Sequence, residues 1–169
     1  MDRQSLRAAR AAGLVRITTG LESGSQSVLD GLRKGTDLVS FSRFLHDARE
    51  AEISVRTTMI VGSPGESASD LRDTASFLDR HSELIERVSL NRLAIIAGTP
   101  LHRQAMSHPD RLPDFSDFVA DDRMAAVDHY DHRAEGREHR KAVYEVLSAV
   151  HRINRRPLRS SASAFDGVM

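Results

Sequence analysis

The strongest constraint on the fold is an alternation: three short runs of β-branched and apolar residues, each closed by a glycine-bearing loop, with amphipathic helical stretches between them. The first run, Leu14-Val15-Arg16-Ile17-Thr18-Thr19, lies between Gly13 and Gly20 and predicts a strand. Helix formers fill residues 2–12 ahead of it, with Leu6 and Ala9 on one side and Arg3, Arg7 and Arg10 elsewhere. Gly13 stands where a helix-ending glycine belongs, so this stretch predicts a short helix. After the strand, Gly20-Leu21-Glu22-Ser23-Gly24 reads as a loop. Ser25 is placed to cap a helix with Val28, Leu29 and Leu32 on one side, and Gly35 closes it after Arg33 and Lys34.

The pattern repeats. Leu38, Phe41, Phe44, Leu45 and Ala48 recur at helical spacing, and residues 53–61 then predict a strand rich in Thr, Val and Ile. Gly62-Ser63-Pro64-Gly65 breaks that strand. Ser67 followed three residues later by Asp70 predicts a capping box before a helix with Leu71, Thr74, Phe77 and Leu78 on one face. Residues 86–96 predict a third strand, ending at Gly98-Thr99-Pro100. Strands separated by helices imply βαβ crossovers and a parallel sheet, with ligands expected at the carboxyl ends of the strands, where all three glycine-bearing loops lie. Beyond His102 the alternation stops: residues 109–118 are turn-rich, and residues 138–155 predict a helix with Val143, Val146, Leu147, Val150 and Ile153 as its apolar stripe. The expected organisation is a parallel α/β unit over residues 1–105, a helical extension over 106–156 and a disordered tail over 157–169.

Composition narrows the function. The 169 residues, 40% of them apolar, suffice for one core, and 24 Lys plus Arg against 24 Asp plus Glu leave no net charge to draw the chain to nucleic acid or an anionic membrane. No stretch approaches the roughly 20 apolar residues of a membrane span, so a soluble, cytoplasmic protein is expected. The chain has no Cys, which excludes a disulfide framework, a thiolate zinc site, a Cys nucleophile and a cysteine-ligated cluster held by these residues.

Among the loops, Glu22 stands at the carboxyl end of a buried strand, where its carboxylate can accept hydrogen bonds from vicinal hydroxyls such as a ribose diol, or merely complement the dipole of the helix that follows. The stretch from Val61 to Ser67 has glycines that allow close ligand approach, but it lacks the ending of a phosphate loop and the spacing of a dinucleotide fingerprint, which favours a tight turn. His129, His132 and His139 with Asp128 have spacing compatible with a metal, yet Gly136 interrupts them and no His-Glu-x-x-His pattern occurs, so a solvated surface is expected and no metal site. No Gly-x-Ser-x-Gly elbow is present, since Gly20 to Gly24 has Glu at its centre.

Taken in order, Ala12-Gly13-Leu14, Gly20-Leu21-Glu22-Ser23-Gly24-Ser25, Lys34-Gly35, Ile60-Val61-Gly62-Ser63-Pro64-Gly65-Glu66-Ser67 and Gly98-Thr99-Pro100-Leu101 resemble the radical S-adenosylmethionine (SAM) superfamily. They are most similar to members associated with cobalamin-binding domains. The resemblance covers residues 1 to about 105 and implies a partial TIM-like barrel: the three strands would be the second half of a (β/α)6 barrel. It implies SAM as cofactor, with Glu22 and Ser23 on its ribose side and Lys34 reaching its carboxylate. Ile60, Val61 and Gly62 would pack against adenine, joined by Ile96 and Ala97. Thr58 stands where the family's fifth-strand motif has its first glycine, and Glu66 lies one place late.

The family's Cys-x-x-x-Cys-x-x-Cys loop, which ligates a 4Fe-4S cluster that cleaves SAM reductively, has no counterpart in these residues. The glycine-rich motif that holds the SAM amino group is missing as well. The resemblance therefore implies half of an active site and a truncated radical SAM protein, with cobalamin an open question. The alternatives are a half-barrel completed by a cysteine-bearing partner chain, a cluster-free SAM or nucleoside-binding module, or an adapter without a ligand. Physically, three parallel strands covered on one face would expose the opposite face and both edges.

Overall fold

The computed structural model describes residues 1–96, 98–107, 127–129 and 136–159. Three strands, β1 (Arg16–Glu22), β2 (Ser54–Val61) and β3 (Arg87–Arg92), form one all-parallel sheet in the order β1-β2-β3. The helices among the described residues are α1 (Arg3–Ala11), α2 (Gln26–Gly31), α3 (Leu38–Glu50), α4 (Ala68–Arg80), α5 (Pro100–Ser107) and α6 (Arg137–Asn154). The fold is the expected α/β arrangement of parallel βα units followed by a helix.

Local chemistry fixes the helix starts. Asp2 caps α1 through Ser5 N–H, Asp37 caps α3 through Ser40 N–H, and Ser67 and Asp70 form the reciprocal capping box of α4. Thr99 Oγ1 accepts from His102 N–H at 3.2 Å while Pro100 takes the first position of α5, where its missing N–H costs nothing.

The core lies on one side of the sheet. Leu21, Val55, Met59 and Val88 meet Leu6 of α1, Phe41 and Leu45 of α3, Leu71 and Leu78 of α4, and Ala142, Val146, Ala149 and Ile153 of α6 in a single cluster. α6 packs along α4 and reaches β3. Exposed charge pairs run along that seam, Arg72 with Glu138 at 2.6 Å and Arg152 with Asp79 at 2.6 Å. At the end of α6 the Asn154 amide takes the place of a neighbouring strand: Oδ1 accepts from Val88 N–H at 2.8 Å and Nδ2 donates to Val88 C=O at 2.8 Å. The opposite face of the sheet, reached by alternation from Val55 and Met59, carries Thr18, Gly20, Thr58 and Ser89, of which Thr18, Gly20 and Ser89 are exposed.

Several expectations are corrected. The strand after Gly13 does not stop at Thr19 but continues through Gly20 and Leu21 to Glu22, because a bulge between Gly20 and Glu22 lets pairing with β2 resume at Glu22–Met59. The third strand is not continuous: it breaks at Leu93, whose N–H still donates to Val61 C=O at 2.8 Å, and β4 (Ala94–Ile96) pairs antiparallel with β5 (Val127–His129) instead. On α6, Leu147 is 44% exposed, and Ala142 and Ala149 supply the close packing in its place. His139 is buried at 8% exposure rather than solvated. Part of the supposed tail is docked: Arg159 N–H donates to Glu86 Oε1 at 2.8 Å. Residues 160–169, His132, and the turn-rich residues 109–118 lie outside the described residues.

Candidate functional site at the carboxyl edge of the sheet

The carboxyl ends of β1 and β2 bring their two loops together through serine chemistry. Ser25 and Ser27 each donate to Asp70 Oδ1 at 2.6 Å, and Ser67 Oγ donates to Oδ2 at 2.6 Å. Desolvation pushes the Asp70 carboxyl up, but the hydroxyls of Ser25, Ser27 and Ser67 and the Ser67 N–H outweigh it and hold the group at about 2. Gly24 lets α4 approach: a Cβ there would lie 2.7 Å from Thr74 Cα and 2.8 Å from Phe77 Cβ. Ser23 is buried, with its hydroxyl 3.1 Å from Thr74 Oγ1 and accepting from Ser25 N–H. In this arrangement Ser23 ties the first loop to α4 rather than facing the open side of the sheet.

Glu22 is the outlier. It has φ +67°, whereas the other non-glycine positive-φ residues among those described, Arg33 and Glu52, lie just beyond the C-caps of α2 and α3, where left-handed backbone is ordinary. A left-handed non-glycine residue at a strand end costs about 1–3 kcal/mol, and such strain gathers at functional positions. The bulge and this φ fold the Glu22 side chain over Gly20, where a Cβ would come within 2.6 Å of Glu22 Oε1. Lys34 Nζ lies 3.2 Å from the same oxygen, with the Glu22 side chain 13% exposed and that of Lys34 50%. Two predicted site residues 12 positions apart in the chain are thus in direct contact.

The apolar candidates divide. Ile60 and Val61 are neighbours on β2 and face opposite sides; Val61 packs against the core, which leaves Ile60 for the open face. Gly62, at φ +85°, turns the chain, and its N–H donates to Glu66 Oε2 at 2.7 Å. Glu66 is 1% exposed, so this carboxylate closes the loop after β2, a role that its displaced position in the sequence did not reveal. Ile96 is 47% exposed on β4. Ala97 lies outside the described residues. Among the described residues no cluster of three or more His, Cys, Asp or Glu could hold a metal, and no helix is long and apolar enough to cross a membrane.

Residues 1–78 match the radical SAM superfamily. The ribosomal protein uS12 methylthiotransferase RimO of Anaeromyxobacter sp. (strain K) is 30% identical over 129 residues, 73% of this chain and 24% of that protein. RimO of Anaeromyxobacter sp. (strain Fw109-5) is 29% identical over 125 residues, again 73% of this chain and 24% of its own length. This chain therefore spans about a quarter of these curated relatives. Among solved structures, the radical SAM methyltransferase TsrM from Kitasatospora setae, with tryptophan and a SAM analogue bound, superposes with a TM-score of 0.60 at 15% identity, covering 88% of this chain and 34% of that one. The same enzyme with cobalamin and a [4Fe-4S] cluster superposes with a TM-score of 0.59.

Proposed function

We propose, from the premise that residues 1–78 belong to the radical SAM superfamily, that this chain forms the ribose and adenine side of a SAM site. The observation that carries the reading is the strained Glu22 at the end of β1, its carboxylate held over Gly20 beside the Lys34 ammonium. A carboxylate accepts from both hydroxyls of a ribose diol, and a lysine ammonium is a point charge suited to the amino-acid carboxylate of the same ligand. SAM carries both groups. On binding, the ligand would replace the Glu22–Lys34 contact with one partner for each. Ile60 supplies an apolar surface for the adenine, and the chain turns at Gly62 two residues on. The names of the relatives, a methylthiotransferase and a SAM-analogue-bound methyltransferase, support SAM as the nucleoside in question.

The family's 4Fe-4S cluster does not fit these residues, because a chain with no Cys offers it no thiolate. No reductive step is assigned to this chain. Thr18, Gly20 and Ser89 lie exposed on the sheet face opposite the core, which favours a second reading compatible with the first: a half-barrel completed by a segment bearing Cys-x-x-x-Cys-x-x-Cys.

Calorimetric titration with SAM tests the proposal. Heat with a one-to-one stoichiometry, weakened about tenfold by Glu22→Gln for one lost charge-assisted hydrogen bond, is expected. No binding at millimolar SAM, or identical binding by the variant, would reject it. Co-elution with a cysteine-bearing half-barrel tests the second reading, and separate elution of the two would reject it.

A further inference from the structure

We infer that Gly20 is a positioning residue: its missing side chain creates the slot that holds the Glu22 carboxylate, a conclusion whose functional meaning rests on the ribose-binding reading of Glu22. A Cβ at Gly20 would lie 2.6 Å from Glu22 Oε1, 3.3 Å from Glu22 Cδ and 3.6 Å from Thr58 Oγ1. The oxygen it would strike is the one that meets Lys34 Nζ at 3.2 Å. A side chain at this position therefore displaces the carboxylate and breaks the ion pair together.

The fold itself gives no reason for glycine here. Gly20 is exposed on the open face, and it is not among the glycines with positive φ, so no left-handed backbone calls for glycine there. Glycine in a strand weakens it through backbone entropy and missing packing, and alanine would restore both. Gly24 provides the contrast: there the obstacles are Thr74 Cα and Phe77 Cβ, which belong to a packed helix and cannot move aside. At Gly20 the obstacle is the end of a flexible side chain, which can. Alanine at position 20 is therefore compatible with the fold and incompatible with the placement of Glu22. Thr58 hydroxyl, near the same point, bounds the slot from β2, in register with Gly20 across the pair.

The experiment uses the full chain with 13C-labelled glutamate, without ligand, and follows the Glu22 Cδ resonance and its response to Lys34→Met. In the wild type, Lys34→Met should shift that resonance; in a Gly20→Ala background the resonance should already be displaced and the response to Lys34→Met lost. The urea midpoint of Gly20→Ala should equal or exceed that of the wild type. An unchanged Glu22 signal in Gly20→Ala, or a Gly20→Ala chain that fails to fold, would overturn the inference, the second because it would make Gly20 a structural requirement. A parallel adenosine titration separates the two claims. Adenosine binding lost about tenfold in both Gly20→Ala and Glu22→Gln supports both. Adenosine binding untouched by Glu22→Gln rejects the ribose reading, while the ligand-free signal still decides the role of Gly20.

Discussion

Asn154 closes the edge of the sheet with one side chain, and its removal has a calculable cost. Asn154→Ala leaves Val88 N–H and Val88 C=O, each now paired with the amide at 2.8 Å, facing the end of α6 without a partner. A neutral hydrogen bond contributes about 1 kcal/mol net, and both bonds here are part-buried, so the loss is about 2 kcal/mol. Better helix propensity of alanine in the last turn of α6 returns roughly 0.5 kcal/mol. The net destabilisation is then about 1.5 kcal/mol. Asn154→Asp sharpens the test: it keeps an acceptor for Val88 N–H but sets a carboxylate against Val88 C=O, so it should cost at least as much as alanine. Urea unfolding followed by far-UV circular dichroism gives the first quantity, and amide exchange at Val88 locates it. An unchanged midpoint with unchanged Val88 protection would refute the claim that Asn154 acts as the missing neighbour of β3.

Gly24→Ala should destabilise the chain by about 1–3 kcal/mol, because its Cβ meets immovable atoms of α4; Gly31→Ala, with nothing within 4 Å, should be neutral or stabilising by up to about 1 kcal/mol. Thermal melts of the two variants check the contrast. The Asp70 carboxyl is depressed from 3.8 to about 2, so its stabilisation is complete above pH 3.8 and lost as pH falls through 2. Because the group is partly solvated, screening reduces this stabilisation to roughly 1 kcal/mol, and Asp70→Asn should flatten the stability profile across that window. Burial lowers His81, which stacks on Phe77 at 4.1 Å, so the neutral form is favoured in the fold and stability should decline as pH drops below 6.5. Anaerobic reconstitution of this chain with iron and sulfide should give no 4Fe-4S absorbance; a stoichiometric cluster would contradict the account of its ligands.

The sequence made the helices and the parallel order legible because both depend on local signals. Ser67 and Asp70 spell a capping box three residues apart, and β-branched runs between glycines spell strands. What it hid depends on pairing across space. The bulge that carries β1 on to Glu22 arises from register against β2, and no periodicity within residues 14–24 announces it. The break at Leu93 follows from a partner more than 30 residues away, Val127–His129. At the site, Glu22 and Lys34 were both legible as polar groups beside glycines, but their contact was not. Ser23 stands beside Glu22 in the sequence, but the loop beyond β1 brings its hydroxyl to Thr74 Oγ1, a contact 51 residues away that no local pattern announces. Glu66 lies one place late for the motif it resembles, and only the closed loop to Gly62 N–H reveals what it does.

The most direct test of the central claim is a nuclear magnetic resonance comparison of adenosine with 2′,3′-dideoxyadenosine on the isotopically labelled chain. The account predicts that adenosine perturbs Glu22, Lys34 and Ile60, and that removing the two ribose hydroxyls abolishes the Glu22 response while leaving a weak one at Ile60. Equal responses to both nucleosides, or perturbations confined to residues away from the carboxyl edge of β1 and β2, would contradict it.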